Sequence, residues 1–594
     1  MNILGISCHY HDAAAALLVD GRLVAASQEE RFSRRKHDAA FPALAIDDCL
    51  RRGGVEPGEV DYVVFYEKPF AKAERLATTI VATFPRSLRL FRDGMHLWLK
   101  EKIWIKDMIR RHLGTPADRI LFVDHHASHA ASALFASPFE EAAILTVDGV
   151  GEWTTATLGR GAADWGQGGG NRIELTHELR FPHSLGLLYS VFTAWLGFEV
   201  NEGEYKVMGM APFGEPKYVD LIRRIAEFRD DGSLWLDPAY VSFPYHTKRS
   251  FTRAFESLFG APRDPRARFV TAKTSLYDDP RPPTAAELER NQYCADVAAS
   301  IQKVTEDVMI AMARHLHRQT GLSKLCLAGG VALNCVANYK VLRATPFDEI
   351  FVQPAAGDAG GALGAALYAH HVLLGKPRRF IMDHAYWGRT YTDAEIAGTL
   401  RAEGVAHERV DDDERALDRV VDFLQRGEVV GWYHGPFEWG PRALGARSII
   451  ADARRDDMKD IVNIKIKFRE PFRPFAPSVL AEKAAQCFDL GDAAKHYPTR
   501  FMLYVAPVLD RRAPAITHAD GSSRPQAVHR EMSPRYHRLI EKFGEATGVP
   551  LILNTSFNLK GEPIVSSPAD ALDTFRKSGM DALVLENFIV RKDR

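Results

Sequence analysis

Long apolar runs are missing from this 594-residue chain. Nothing in it approaches the roughly 18 consecutive apolar residues of a membrane-spanning helix, so no membrane association is expected. The start, Met1-Asn-Ile-Leu-Gly-Ile, lacks a basic leader and a cleavage site and reads directly as a strand. Cysteine is scarce: Cys8, Cys49, Cys294, Cys326, Cys335 and Cys487 are scattered, and none pairs as C-x-x-C. Such usage argues against a disulfide framework and predicts reduced thiols in a cytoplasmic protein. An excess of either charge is also absent, since Lys plus Arg total 76 and Asp plus Glu 77. That balance gives no general attraction to nucleic acid or to an anionic membrane. What remains is ordinary globular composition, 46% hydrophobic and 26% charged, in a chain too long for one core. Two or more domains are therefore expected.

The most informative stretch is His125-His126-Ala127-Ser128-His129. Arg119–Val123 reads as a buried strand and Ala127–Phe135 as a helix. Four residues apart, His125 and His129 share one face, about 6 Å apart at Cβ. With Asp148 from the next strand end, two such imidazoles can hold a divalent transition metal and leave positions open. The competing reading is a histidine cluster that caps and packs the helix. The flanking Asp124, His126 and Asp148 favour a metal.

Strands are expected at Ile3–Ser7, Ala13–Val19 and Arg22–Ala26, with Asp20-Gly21 as a hairpin turn. A second strand–acidic turn–strand unit follows at Ala143–Val147, Asp148–Gly151 and Thr154–Leu158. The pair is similar to the two phosphate-binding hairpins of the actin-like ATPase fold. Residues 160–172 and 261–288 read as loops and 290–319 as helix. The pattern breaks after Gly375, and a fresh amphipathic helix starts near Thr392. A boundary between 376 and 391 is expected, giving domains 1–385 and 386–594, both α/β.

Leu327-Ala-Gly329-Gly330-Val-Ala-Leu-Asn334 is a strand, a glycine turn and a helix start. Glycines admit a ligand close to the backbone, and a helix N-terminus offers amides and positive dipole to phosphate. Gly357-Asp358-Ala-Gly360-Gly361 repeats the geometry with a carboxylate inside the turn. Two such turns opposite two acidic hairpins predict a nucleotide cleft, and Asp358 becomes a fourth metal-ligand candidate. His9 and His11 lie just past the first strand, where open α/β sheets place ligands. A histidine there is either a general base or a turn residue bonding local backbone. The stretch Asn201–Met210, with Lys206 between glycines, is either a solvated loop or a ligand-facing segment, and its lack of hydrophobic periodicity favours the second. In the C-terminal part, Arg442, Arg447 and Ser448, then Lys465, Lys467, Arg469 and Arg473, are interleaved with Trp, Phe and Pro. That mixture suits a concave anion site, where guanidinium forks clamp phosphate.

Together these motifs resemble the O-carbamoyltransferases of the NodU and CmcH type. The resemblance runs through His11-Asp-Ala-Ala-Ala-Ala-Leu, Glu29-Glu-Arg-Phe32, the His125–His129 run and Glu204-Tyr-Lys-Val-Met-Gly-Met-Ala-Pro. It continues through Ala328–Asn334, Trp439-Gly-Pro-Arg-Ala-Leu-Gly445 and Asn554-Thr-Ser-Phe-Asn558. It implies an actin-like first domain with Fe(II) held by His125, His129, Asp148 and Asp358, and a YrdC-like second domain. The Lys-x-Arg and Ser-x-Asn elements of that second domain match Lys467-Phe-Arg469 and Ser556-Phe-Asn558, with Lys465 offering a competing register. The implied substrates are carbamoyl phosphate, ATP with Mg(II), and a hydroxylated small-molecule acceptor. ATP and phosphate contacts are expected from Gly329, Gly330, Asn334, Gly357, Lys206, Arg442, Arg447, Ser448, Arg473, Ser556 and Asn558. The implied roles are catalysis by His11 as base and by Lys467 and Arg469. Loops near 65–110 and 235–290, with Trp98, Trp104, Tyr240 and Tyr245, are candidates for the acceptor pocket. A homodimer is compatible with the sequence. The alternatives are a tRNA threonylcarbamoyl-modifying enzyme, which the balanced charge disfavours, an actin-like small-molecule kinase releasing ADP, and a nucleotide-gated regulator.

Overall fold

The computed structural model describes residues 1–100, 102–168, 170–274 and 281–592, with the side chains of 95–100 left aside. No helix among the described residues is long and apolar enough to cross a membrane. The chain forms two compact units. The first holds Met1–Glu29, His37–Ala267 and Arg290–Met382, and the second holds Glu30–Lys36, Arg268–Glu289 and Asp383–Arg594. The last switch lies inside the 376–391 window, whereas the two short segments of the second unit have no counterpart in the sequence reading.

In the first unit, β1 (Asn2–Ser7), β2 (Ala14–Val19) and β3 (Arg22–Gln28) pair antiparallel, with Val19 opposite Arg22 across the Asp20-Gly21 turn. Parallel β4 (Tyr62–Phe65) and β5 (Ile120–Phe122) complete the order β3-β2-β1-β4-β5. The second sheet repeats the plan. Here β6 (Glu141–Val147), β7 (Thr154–Ala162) and β8 (Arg172–Arg180) are antiparallel. After a β9–β10 hairpin (Ala226–Phe228 and Leu234–Leu236), β11 (Lys324–Ala328) and β12 (Glu349–Val352) join in parallel. The order is β12-β11-β6-β7-β8. This duplicated sheet, three antiparallel strands and then two parallel ones, is the actin-like ATPase arrangement. The strands read as near-continuous apolar runs because both faces are covered, as at Ile3–Ile6 and Ala142–Leu145.

Helices His125–Leu134 and Asp358–Tyr368 lie between the sheets and pack tightly on each other. Gly364 permits this, since a Cβ there would come within 1.8 Å of the Ser128 carbonyl oxygen. Two segments add detail to the sequence reading. Residues 204–210 form a helix, closed at its start by Glu204, which accepts from Ser190 and the Asn201 amide. The 290–319 helix is longer than expected and runs Ala285–Thr320.

The second unit is built on an eight-stranded mixed sheet. From edge to edge it runs Glu408–Arg409, Phe588–Arg591, Ala582–Leu585, Val430–Tyr433, Arg447–Ala451, Leu551–Ser556, Ala476–Leu480 and Gln526–Val528. Helices Asp413–Gln425 and Pro534–Thr547 present Leu417, Val420, Leu424, Ile540 and Phe543 to Trp432, Ile450 and Ile552, forming its core. Phe269 of the inserted segment packs on Phe472, their ring centroids 4.8 Å apart.

Candidate active site

Strand ends of both first-unit sheets converge on one cluster. Past β5 the chain enters the helix that carries His125 and His129 one turn apart, with their Nε2 atoms 3.0 Å from each other. Past β6 comes Asp148, whose Oδ2 lies 3.1 Å from His125 Nε2 and 3.8 Å from His129 Nε2. Past β12, Asp358 opens its helix with Oδ1 at 3.6 and 3.7 Å from the same nitrogens. All four residues are buried, and their ligand atoms lie within 4.8 Å of one another. A divalent ion with bonds of about 2.1 Å places neighbouring donors about 3.0–3.4 Å apart, so this set fits one ion. Two imidazoles and two carboxylates suit a divalent transition metal ion with open positions.

The glycine turn supports the cluster from behind. Parallel pairing sets Ala328 beside Thr146, which brings Gly330 alongside Asp148. The Gly330 amide donates to Asp148 Oδ1 at 2.8 Å. The Gly357 turn lies next to it, since a Cβ on Gly357 would sit 3.9 Å from Gly330 Cα. Electrostatics follow from two buried carboxylates sharing one place. Burial alone would lower His129, but its bonds to Asp148 and Asp358 outweigh that and push it up to about 9. Both aspartates are held below the usual carboxylate range against the opposing effect of burial, Asp148 by His125 and His129 and Asp358 by His11 and His125.

His11 stands at the edge of this cluster, its Nε2 3.9 Å from Asp358 Oδ2. Its Nδ1 is 3.0 Å from Asp12, whose other oxygen takes His37 Nδ1 at 2.7 Å. Burial works to lower His11, and Asp358 with Asp12 override it, raising it to about 9. His9 is instead pushed down to about 4, by burial and then by Lys102. His126 faces away from the cluster. Its Nε2 donates to the Thr154 carbonyl at 2.9 Å and its Nδ1 accepts from the Thr146 hydroxyl at 2.6 Å, so it packs the fold.

Other expected nucleotide contacts sort differently. Asn334 spends its side chain on the fold: it accepts from the Ala337 amide at 3.1 Å and exchanges bonds with Gln302. Lys206 is half-buried, with its ammonium 5.8 Å above the Phe198 ring. Of the acceptor-loop aromatics, the Trp98 side chain lies outside the described residues. Trp104 is exposed, Tyr240 half-buried, and Tyr245 lies beneath Arg86, 5.7 Å from ring centroid to guanidinium.

In the second unit, Lys467 is buried and its Nζ donates to the Ser556 carbonyl at 2.7 Å. It also reaches the Asn558 carbonyl at 2.7 Å and Asn558 Oδ1 at 2.6 Å. The Lys-x-Arg and Ser-x-Asn elements therefore meet through Lys467, while Lys465 is exposed. Burial, then Arg469 and Arg473, hold the Lys467 ammonium well below its ordinary range. Arg469 donates to Asn463 Oδ1 at 2.7 Å and stacks 4.7 Å from the Phe475 centroid. Arg473 lies 3.7 Å from Glu470, and Arg442 is half-buried.

Two residues of the expected anion clamp are corrected. Arg447 is fully buried on the Tyr433 ring at 3.5 Å, and its guanidinium donates to the carbonyls of Gly435, Ala446 and His434. Its donors are spent on holding the loop. Ser448 is buried too and accepts from the Gly445 amide at 3.1 Å, closing the same turn. The sequence reading missed Lys36, whose charge bears on Lys467, and fully buried Arg31, which donates to the Gly440 carbonyl at 2.7 Å. No local pattern announces that residues 30–36 belong to the second unit. Also missed is a small cavity of about 20 Å³ lined by Arg500, His529, His384 and Tyr386.

Comparison with known proteins bears on both units. A family model described as "Carbamoyltransferase N-terminus" matches residues 2–367, and one described as "Carbamoyltransferase C-terminus" matches residues 421–592. An uncharacterised protein of Synechocystis, sll1178, is 46% identical over 100% of this chain and 97% of its own length. The nodulation protein NolNO of Sinorhizobium fredii is 37% identical over 98% of this chain and 79% of its own. The 3'-hydroxymethylcephem-O-carbamoyltransferase of Streptomyces clavuligerus is 34% identical over 41% of this chain and 44% of its own.

Proposed function

We propose a two-step, ATP-dependent O-carbamoyl transfer for this chain, which belongs to the carbamoyltransferase family. In the second unit carbamoyl phosphate is hydrolysed to carbamate and phosphate. The carbamate oxygen then attacks the α-phosphorus of ATP, forming carbamoyl-adenylate and releasing pyrophosphate. Lys467, Arg469, Arg473 and Arg442 balance the charge on the transferring phosphoryl groups. In the first unit a hydroxyl of a small-molecule acceptor attacks the carbamoyl carbon, AMP leaves, and an O-carbamoyl ester forms. His11 takes the hydroxyl proton on Nε2 from its neutral form, which an ion held against Asp358 would favour by offsetting the charge that raises it, with Asp12 fixing the ring through Nδ1.

His125, His129, Asp148 and Asp358 would hold one Fe(II)-type ion. When bound, such an ion would polarise an oxygen ligand and balance the two buried carboxylates. The Gly330 amide keeps Asp148 aimed at that place.

The observation that carries the reading is the placement of His11 beside four convergent ligands, at the ends of strands where this fold presents its substrates. His11→Asn tests it. The variant should lose transfer to acceptor by about two to four orders of magnitude while still releasing pyrophosphate from ATP and carbamoyl phosphate. Loss of both steps together, or of neither, overturns the role of His11.

A further inference from the structure

We infer that Glu152 is the positioning residue of the ion site, serving as the cap of the helix that carries His125 and His129. The inference rests on reading His125, His129, Asp148 and Asp358 as an ion site. A helix start leaves amides without partners inside the helix and concentrates positive dipole there. The residue in the ordinary capping place, Asp124, forms no capping bond. Its carboxylate is 61% exposed and pairs with Lys68 Nζ at 2.8 Å. The first helical amide, that of His125, donates instead to Glu152, with its nitrogen 3.1 and 3.2 Å from the two carboxylate oxygens.

Glu152 is buried and accepts a further bond, from the Lys68 amide at 2.8 Å. Lys68 follows β4, His125 follows β5, and Glu152 sits in the turn between β6 and β7, just after Asp148. One carboxylate thus ties two strand ends of the first sheet to the loop of the second that carries an ion ligand. That loop is itself held, because the Gly151 amide donates to the Thr154 carbonyl at 2.9 Å and the Gly151 carbonyl accepts from Arg75 at 2.9 Å. The His125 and Asp148 ligand atoms, 3.1 Å apart, are therefore fixed by a single short loop. Without Glu152 the helix start loses its cap, and His125 is no longer tied to the loop of Asp148, which the Gly330 amide still holds.

The test uses the full chain and Fe(II) competed against a coloured chelator. Glu152→Ala should weaken Fe(II) binding about ten- to a hundredfold, the range seen when groups supporting metal ligands are removed. Glu152→Gln, which keeps one carbonyl oxygen as acceptor, should lose less. Asp124→Ala should leave the affinity unchanged, and exchange of the His125 amide should accelerate only in the Glu152 variants. Unchanged affinity in Glu152→Ala, or an equal loss in Asp124→Ala, overturns the capping role. If Glu152→Ala does not fold, Glu152→Gln decides, and unaltered affinity together with unaltered His125 exchange overturns the inference. Tight Fe(II) binding by the wild-type chain with no change in the variants defeats the cap alone. No Fe(II) binding by the wild-type chain defeats the ion reading and the cap with it.

Discussion

Single residues separate structural cations from chemical ones. Arg447 and Lys467 both lie in arginine-rich motifs and both donate to carbonyls, but Arg447 closes its own loop and stacks on Tyr433, while Lys467 joins the two elements of the proposed adenylate site. Lysine cannot reproduce a planar fork on several carbonyls. Arg447→Lys is therefore expected to lower folding stability by about 2–4 kcal/mol, read from urea denaturation, with KM for ATP nearly unchanged in folded protein. A raised KM at full stability would return Arg447 to the anion site. Glu586 gives a pH prediction. Burial favours its neutral form, but bonds from His434 and the Gly435 amide, with Arg535 nearby, hold it below the usual glutamate range. A depressed carboxyl adds stability above its unfolded pKa, and that stability is lost as pH falls through the folded value. The stability gap between wild type and Glu586→Gln should thus be full at pH 7 and close below about pH 4. A gap that widens on acidification contradicts this. At this scale the convergence of His125, His129, Asp148 and Asp358 was legible because residue type, spacing and the repeated turns carry it. Arg447, Ser448 and Asn334 were misread because burial and carbonyl partners leave no mark in composition.

At the scale of elements, the site depends on how closely the two central helices approach. Gly364 touches the backbone of the histidine helix at Ser128, so a methyl group there must push the Asp358 helix outward. Gly364→Ala should cost about 1–3 kcal/mol and weaken ion binding together, measured by thermal melting and chelator competition on one preparation. Intact ion binding at lowered stability would show that helix spacing does not set the ligand geometry. Strands were the clearest elements in the sequence, since apolar runs bounded by Asp-Gly and Gly-Gly turns fix both type and ends. The 204–210 helix was not legible because its short run between glycines shows little periodicity. Glu204 ties its start to Ser190 and to the Asn201 amide. Strand ends also depend on distant partners: Leu551–Ser556 continues through Asn554 and Thr555, which pair with Ile450 and Ile449 about a hundred residues earlier.

At the scale of the molecule, the chain is two compact units, and residues 30–36 and 268–289 belong to the second although they interrupt the first. Local periodicity reports helices and strands but not long-range partners, so a contiguous division was all that the sequence could supply. Ion binding to native protein alone stabilises by mass action, about 2.7 kcal/mol at a hundredfold excess over Kd. Because the four ligand candidates lie in the first unit, chelation should lower that unit's melting and spare the second, followed by hydrogen exchange of each. Equal destabilisation of both units would contradict an ion confined to the first. On the proposed route, carbamoyl is activated as an adenylate before it is transferred. The most direct measurement incubates the metal-loaded chain with ATP and labelled carbamoyl phosphate, without acceptor, and identifies the nucleotide products. Pyrophosphate and a labelled carbamoyl-adenylate are expected, both abolished in Lys467→Met; ADP formation, or no pyrophosphate, would contradict the two-step route.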